Sequence, residues 1–321
     1  MPTPTLRERL ERGQVWIYLG FALLGLGTGS RWPQAGLVLE IAVWPTLALL
    51  LYATFTQVPL RSMAAAFADG RFLGSALAGN FLIMPALVWL MLQFTPAHDA
   101  LRLGLLLVLL VPCTDWFITF TQLGRGDTPA AIALTPVNLL LQFLLLPAYP
   151  WLMAGTRISA ALDIADLWPA LLVVLGPLLA AVLTEPVLRR RRDGEQIRNI
   201  LGHAPVPLLG LVILAVAAAH TDAALGAAHL VPVVVTVAAV FLAGALVVAR
   251  VSTLLLGLAP ARGRTLAFTL ATRNSFLVLP VALALPPGWE VVALVIVIQA
   301  LVELFGMIAC LWLVPRLFPD T

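Results

Sequence analysis

Residues 101–127 read LRLGLLLVLLVPCTDWFITFTQLGRGD, and residues 265–287 read TLAFTLATRNSFLVLPVALALPP. Each is an apolar run about the length a bilayer crossing needs, roughly 20 residues, and each is interrupted near its middle by polar side chains. In the first, Pro112 lacks the N–H that would bond the preceding turn, and Thr114 and Asp115 can bond backbone groups freed there. In the second, Thr272, Arg273, Asn274 and Ser275 stand together, all able to satisfy an unwound backbone. Unwound backbone is tolerated at membrane depth only where protein buries it or where it lines a cavity. The two stretches therefore predict two discontinuous helices that run oppositely and meet near the midplane. Half-helix ends at such a crossing present N–H and carbonyl dipoles to a small solute.

The rest of the chain supplies the lipid setting. Of 321 residues, 61% are apolar and 11% are charged, against roughly 45–50% and about 25% in an ordinary globular chain. With a mean hydropathy of +1.00, there are too few polar groups to cover a water-facing surface of this size. Long apolar runs fall at about 15–30, 38–58, 72–94, 102–121, 129–154, 167–187, 201–219, 230–249, 265–286 and 290–314, which is ten spans. The opening residues could pass for a signal peptide, but nine further spans favour an uncleaved first helix. All 19 basic residues are arginine. They lie between apolar runs rather than along one stripe, which excludes a nucleic-acid partner. Cys113 and Cys310 sit inside apolar runs and build no disulfide framework.

The arginines also set an orientation. With a cytoplasmic N-terminus and alternating sides, the inner segments receive Arg7, Arg9, Arg12, Arg61, Arg71, Arg125, Arg189 to Arg192, Arg198, Arg250, Arg262, Arg264 and Arg316. The outer segments receive only Arg31, Arg102 and Arg157, a strong positive-inside bias. Trp32, Trp151, Trp168 and Trp289 then lie at the outer interface, as an aromatic belt does. This predicts a multi-pass protein of the cell (inner) membrane with both termini cytoplasmic and no soluble domain. Five spans per half is odd, so halves 1–160 (spans 1–5) and 161–321 (spans 6–10) are inverted repeats, a recurrent transporter plan. An offset of 161 residues lays Pro112-Cys113-Thr114 on Arg273-Asn274-Ser275, and Asn138 and Gln142 on Gln299 and Glu303. The run Arg189–Arg192 with Asp193-Gly194-Glu195 links the halves as a solvated topology anchor.

Charge at membrane depth is expensive, roughly 2.5–3.5 kcal/mol on insertion scales, and so marks function by default. Asp115, Arg273 and Glu303 qualify, whereas Glu40 and Glu185 sit close to span ends. Asp115 and Arg273 can pair, either as part of a site or as a structural salt bridge whose disruption strands a buried charge. Cys310 reads as an apolar filler. Cys113 differs because it follows Pro112 at the break, and a soft sulfur ligand selects soft metals and metalloids. The solute-binding candidates are therefore Cys113, Thr114, Asp115, Asn138, Arg273, Asn274 and Ser275, with Asp115 and Glu303 as proton carriers. His98, His203, His220 and His229 fall near span ends, so no resident metal or histidine relay is expected. No hydrolase, phosphate-loop or dinucleotide motif is present, and Ser275 has no histidine at comparable depth, which speaks against an enzyme and a cofactor.

The stretch VPCTDWFITFTQLGRGDTPAAIALTPVNLLLQ at residues 111–142, with ATRNSF at 271–276 and Glu303, resembles the bile acid:sodium symporter superfamily. The likeness is closest to its arsenite-efflux (arsenical-resistance permease) branch, through Pro112-Cys113-Thr114, Gly126-Asp127 and Val137-Asn138. The resemblance implies ten spans in two inverted halves, with the fourth and ninth crossing at the transport site. It implies that Cys113 touches trivalent arsenic or antimony, that Glu303 is the tenth-span acid, and that proton entry drives efflux. Two departures stand out. No acid occurs from Thr265 to Pro287, where that branch carries a glutamate. The places that hold sodium in the sodium-coupled branch look like Thr269 and Arg273, and a fixed guanidinium repels a cation. Either Asp115 supplies the missing carboxylate, or the passenger is a small organic anion, sodium- or proton-coupled, gripped by Arg273. A channel or a non-transporting sensor is the third reading.

Overall fold

The computed structural model describes residues 6–58, 63–146, 148–153 and 164–320. Arg61, Arg157 and the expected boundary between residues 160 and 161 lie outside them. The described chain is helical. In order it forms α1 (Leu6–Arg31), α2 (Pro33–Phe55), α3 (Met63–Ala66), α4 (Gly70–Ala78), a π-helical turn (Gly79–Ile83) and α5 (Met84–Gln93). There follow α6 (Asp99–Leu109), α7 (Trp116–Leu123), α8 (Thr128–Leu145), α9 (Ala148–Met153), α10 (Ile164–Arg190) and α11 (Gly194–His203). The last are α12 (Pro205–Ala219), α13 (Thr221–Gly226), α14 (Val231–Leu256), α15 (Pro260–Ala271), α16 (Ser275–Leu283) and α17 (Val291–Leu317).

Seven helical stretches are long and apolar enough to cross a membrane: Pro33–Phe55, Gly70–Gln93, Thr128–Leu145, Trp168–Arg190, Gly194–Ala219, Ala228–Leu256 and Val291–Leu317. The protein is a multi-pass membrane protein. The fourth and ninth expected spans are missing from that set because each is two short helices, α6 with α7 and α15 with α16. The first expected span lies within α1, which opens on the charged LRERLER.

The chain divides into two compact units, each drawn from three segments. The first comprises residues 1–57, 161–229 and 276–297. Here α12 packs on α1 and α2, and α2 on α10. The α1–α12 approach is close enough to exclude side chains: a Cβ on Gly25 would lie 2.4 Å from the Leu214 carbonyl oxygen, and one on Gly29 2.4 Å from that of Ala218. Small residues allow such backbone proximity in membranes, where packing rather than water exclusion drives helix association.

The second unit comprises residues 58–160, 230–275 and 298–321. At its centre is α15, buried from Gly263 to Ala271 and packed on α4, α7, α8 and α14. One end of α15 is anchored by two arginines. Arg262 pairs with Asp69 and Asp127. Buried Arg264 donates from Nε and Nη2 to the Phe318 carbonyl at 2.9 and 2.7 Å, and from Nη1 to that of Arg125 at 3.0 Å. Asp127 also caps α8, accepting from Ala130 N–H at 3.0 Å. The π-helical turn has an identifiable cause in Pro85. A proline there removes the N–H that would bond the Phe81 carbonyl four residues back, and the Tyr149 hydroxyl donates to that carbonyl instead, at 2.8 Å.

Gly29→Val forces a side chain into the Ala218 backbone. We expect destabilisation of at least about 1–3 kcal/mol from overpacking, read as a lower unfolding temperature in detergent. Gly27→Val, where nothing lies within 4 Å of the added Cβ, is the control and leaves that temperature nearly unchanged.

Candidate functional site at the paired helix breaks

Helix α6 ends at Leu109 and α7 begins at Trp116, while α15 ends at Ala271 and α16 begins at Ser275. The unwound residues between them pair as a short antiparallel bridge, Pro112 opposite Arg273. Cys113 N–H donates to the Thr272 carbonyl at 3.2 Å, and Asn274 N–H donates to the Val111 carbonyl at 2.9 Å. Groups that the two broken helices leave orphaned therefore satisfy each other, as buried backbone requires. Side chains reinforce the bridge: Asn274 Nδ2 donates to Thr114 Oγ1 at 3.1 Å, and Thr272 Oγ1 bonds back to the Phe268 carbonyl at 2.8 Å. All of these residues are buried.

A polar layer extends from the bridge on either side of Arg273, whose exposure is 0%. Its backbone N–H donates to Glu303 Oε1 at 3.0 Å, and Gln299 Nε2 donates to Glu303 Oε2 at 2.9 Å. Ser275 Oγ lies 3.5 Å from Gln299 Oε1. The Arg273 guanidinium donates from Nη1 to Asn80 Oδ1 at 3.3 Å and from Nη2 to the Leu270 carbonyl, and its carbon sits 4.7 Å from the Phe241 ring centroid. That ring face adds cation–π attraction in a setting stripped of water. Beyond it, Asn80 Nδ2 and Asn138 Nδ2 both donate to Thr269 Oγ1, at 3.2 and 3.3 Å. Among the described residues, Asn138 Oδ1, Arg273 Nε and both amide atoms of Gln142 are buried without a hydrogen-bond partner.

The structure brings most of the sequence candidates together. Cys113 is 1% exposed. Thr114, Arg273, Asn274 and Ser275 form the bridge and its flank, and Asn138 joins through Thr269. Asp115 is half-buried just before α7, its carbonyl accepting from Ile118 N–H at 3.2 Å. Glu303 accepts from the main-chain N–H of Arg273, a contact that the sequence did not indicate. Asn80 and Phe241 were missed. The available signal for Asn80 was an amide beside Gly79 in an otherwise apolar span, five residues before Pro85.

Such an arrangement offers a soft sulfur ligand, hydroxyl and amide groups able to bond small polar solutes, and a buried carboxyl able to exchange a proton. A family model described as the Sodium Bile acid symporter family matches residues 44–226, which includes the first break. The Arsenical-resistance protein Acr3 of Corynebacterium glutamicum is 24% identical over 323 residues, covering 95% of this chain and 87% of that protein.

Thr269→Val keeps the shape of the side chain and removes the hydroxyl. Two buried amide donors then lose their acceptor, at about 1–3 kcal/mol each, and the unfolding temperature in detergent drops. An unchanged temperature would show that Asn80 and Asn138 are satisfied by something else.

Proposed function

The chain belongs to the sodium bile acid symporter family, and from that premise we propose that this transporter expels trivalent arsenic or antimony in exchange for protons. The 24% identity to an arsenical-resistance protein along nearly the whole chain supports the branch. The observation that carries the reading is the thiol of Cys113, the one soft ligand at the paired breaks, beside the end of α7. Arsenous acid is neutral and trigonal. Exchange of one As–OH for one As–S bond releases water and leaves a single protein ligand, weak enough to let the passenger go. Thr114, Asn138, Asn274 and Ser275 bond its remaining hydroxyls. Glu303 and Asp115 carry the coupling proton, and the fixed charge of Arg273 keeps sodium out.

The architecture we propose is ten spans in inverted halves 1–160 and 161–321, with both termini cytoplasmic in the cell membrane. The bridge register supports it, because Pro112 pairs with the residue 161 positions further on, the same offset that superimposes the polar pairs of the two halves. An organic anion held by Arg273 is the competing reading. The guanidinium is enclosed by Asn80, Leu270 and Phe241, which favours the neutral passenger.

Expression in an arsenite-sensitive host should restore growth, and Cys113→Ser should abolish the protection. Protection by the serine variant at the wild-type level would overturn the thiol's role. In everted vesicles, arsenite uptake should follow an imposed pH gradient and persist when sodium is replaced by choline. Glu303→Gln should retain arsenite-induced thermal stabilisation and lose the response to the gradient. Stabilisation by carboxylates but not by arsenite would establish the organic-anion reading instead.

A further inference from the structure

Glu303 faces more than the bridge. A cavity of about 200 Å³ lies between α14 and α17, with Glu303 and Gln299 as its polar lining and otherwise apolar walls that include Phe241, Leu242, Val302 and Phe305. The cavity reaches the surface, since Ala239 and Phe305 line it and are exposed. Exposed side chains on the same two helices, α14 and α17, include apolar Val240, Ile308 and Trp312, which are 49%, 50% and 63% exposed. On a multi-pass protein such a face meets acyl chains. Part of the wall is bare backbone at Gly306, where a Cβ would lie 2.6 Å from Leu242 Cδ2. An apolar cavity of about 150 Å³ already holds a benzene ring, so this one has room for a six-membered ring together with a polar tip.

We propose that Glu303 is the floor of a lateral pocket that admits a small lipophilic molecule from the bilayer, and that a lipophilic carbodiimide entering there modifies this carboxyl. The carboxyl O–H adds across one C=N bond: a C–O bond forms, the proton moves to nitrogen, and nothing leaves. An acyl shift to the neighbouring nitrogen then gives a stable N-acylurea. Substitution at either oxygen takes an acceptor from Arg273 N–H or from Gln299 Nε2, both of which Glu303 now holds. Occupants without the reactive group are ring-sized lipophiles carrying one hydrogen-bond donor for the same carboxyl. The pocket stands apart from Cys113, which does not line it.

The test is peptide mass spectrometry of the full-length protein in liposomes treated with dicyclohexylcarbodiimide or with a charged, water-soluble carbodiimide. Wild type should carry the lipophilic adduct on Glu303 and none from the charged reagent, and Glu303→Gln should carry neither at that position. Ala239→Phe plugs the mouth from an exposed position, and labelling should be lost while the unfolding temperature holds. Absence of the adduct in wild type, equal labelling by both reagents, or wild-type labelling of Ala239→Phe would each overturn the pocket. Labelling requires no passenger, so a chain that is labelled but moves no arsenite would refute the proposed function and leave this inference standing.

Discussion

A peptide group that leaves a helix inside a bilayer finds no water, and each unsatisfied group costs several kcal/mol. Two helices in this chain are opened in mid-course, and neither opening could be sustained alone. The three residues Val111 to Cys113 and the three residues Thr272 to Asn274 solve the problem jointly by pairing as strand-like backbone. Everything polar nearby depends on that exchange. Thr114 and Asn274 bond across it, Arg273 is aimed by it, and Glu303 is bound to a main-chain N–H that exists in this direction only because α15 has stopped.

The electrostatics follow from the same constraint. The buried guanidinium finds acceptors for its two terminal nitrogens in Asn80 and the Leu270 carbonyl at the end of α15, and a cation–π partner in the Phe241 face. Its charge is offset by Glu303, which touches its backbone rather than its side chain. The pair is therefore coupled through the bridge. Any change in the protonation of Glu303 is felt by Arg273, whose backbone pairs the two broken helices.

The sequence was most readable where chemistry contradicts setting. Proline followed by cysteine, threonine and aspartate in one apolar run, and four polar residues in another, announced both breaks and their meeting. Seven of the ten expected spans appear as helical stretches long and apolar enough to cross a membrane, and the fourth and ninth are each split by an unwound segment. What stayed hidden depends on distance along the chain and on helical rotation. The π-helical turn that swings Asn80 toward Thr269 is stabilised by Tyr149, 68 residues away. That Glu303 would bind the main-chain N–H of Arg273 depends on how α17 is rotated against the end of α15, which the spacing of Gln299 and Glu303 along one helix leaves open. Thr269, singled out only as a place where relatives hold an ion, proved to be the shared acceptor of two amides.

Gln142 and Glu303 occupy matching places at the 161-residue offset, and so do Pro112 and Arg273. Arg273 has an N–H to give, and Glu303 takes it. Proline has none, and the amide of Gln142 is idle at both ends among the described residues. One of these two positions is thus latched, and the other keeps about 1–3 kcal/mol of unspent hydrogen-bonding capacity per idle group. Any polar group that comes within reach of Gln142 meets an amide open at both ends, so the two matching positions differ in what they can still bind.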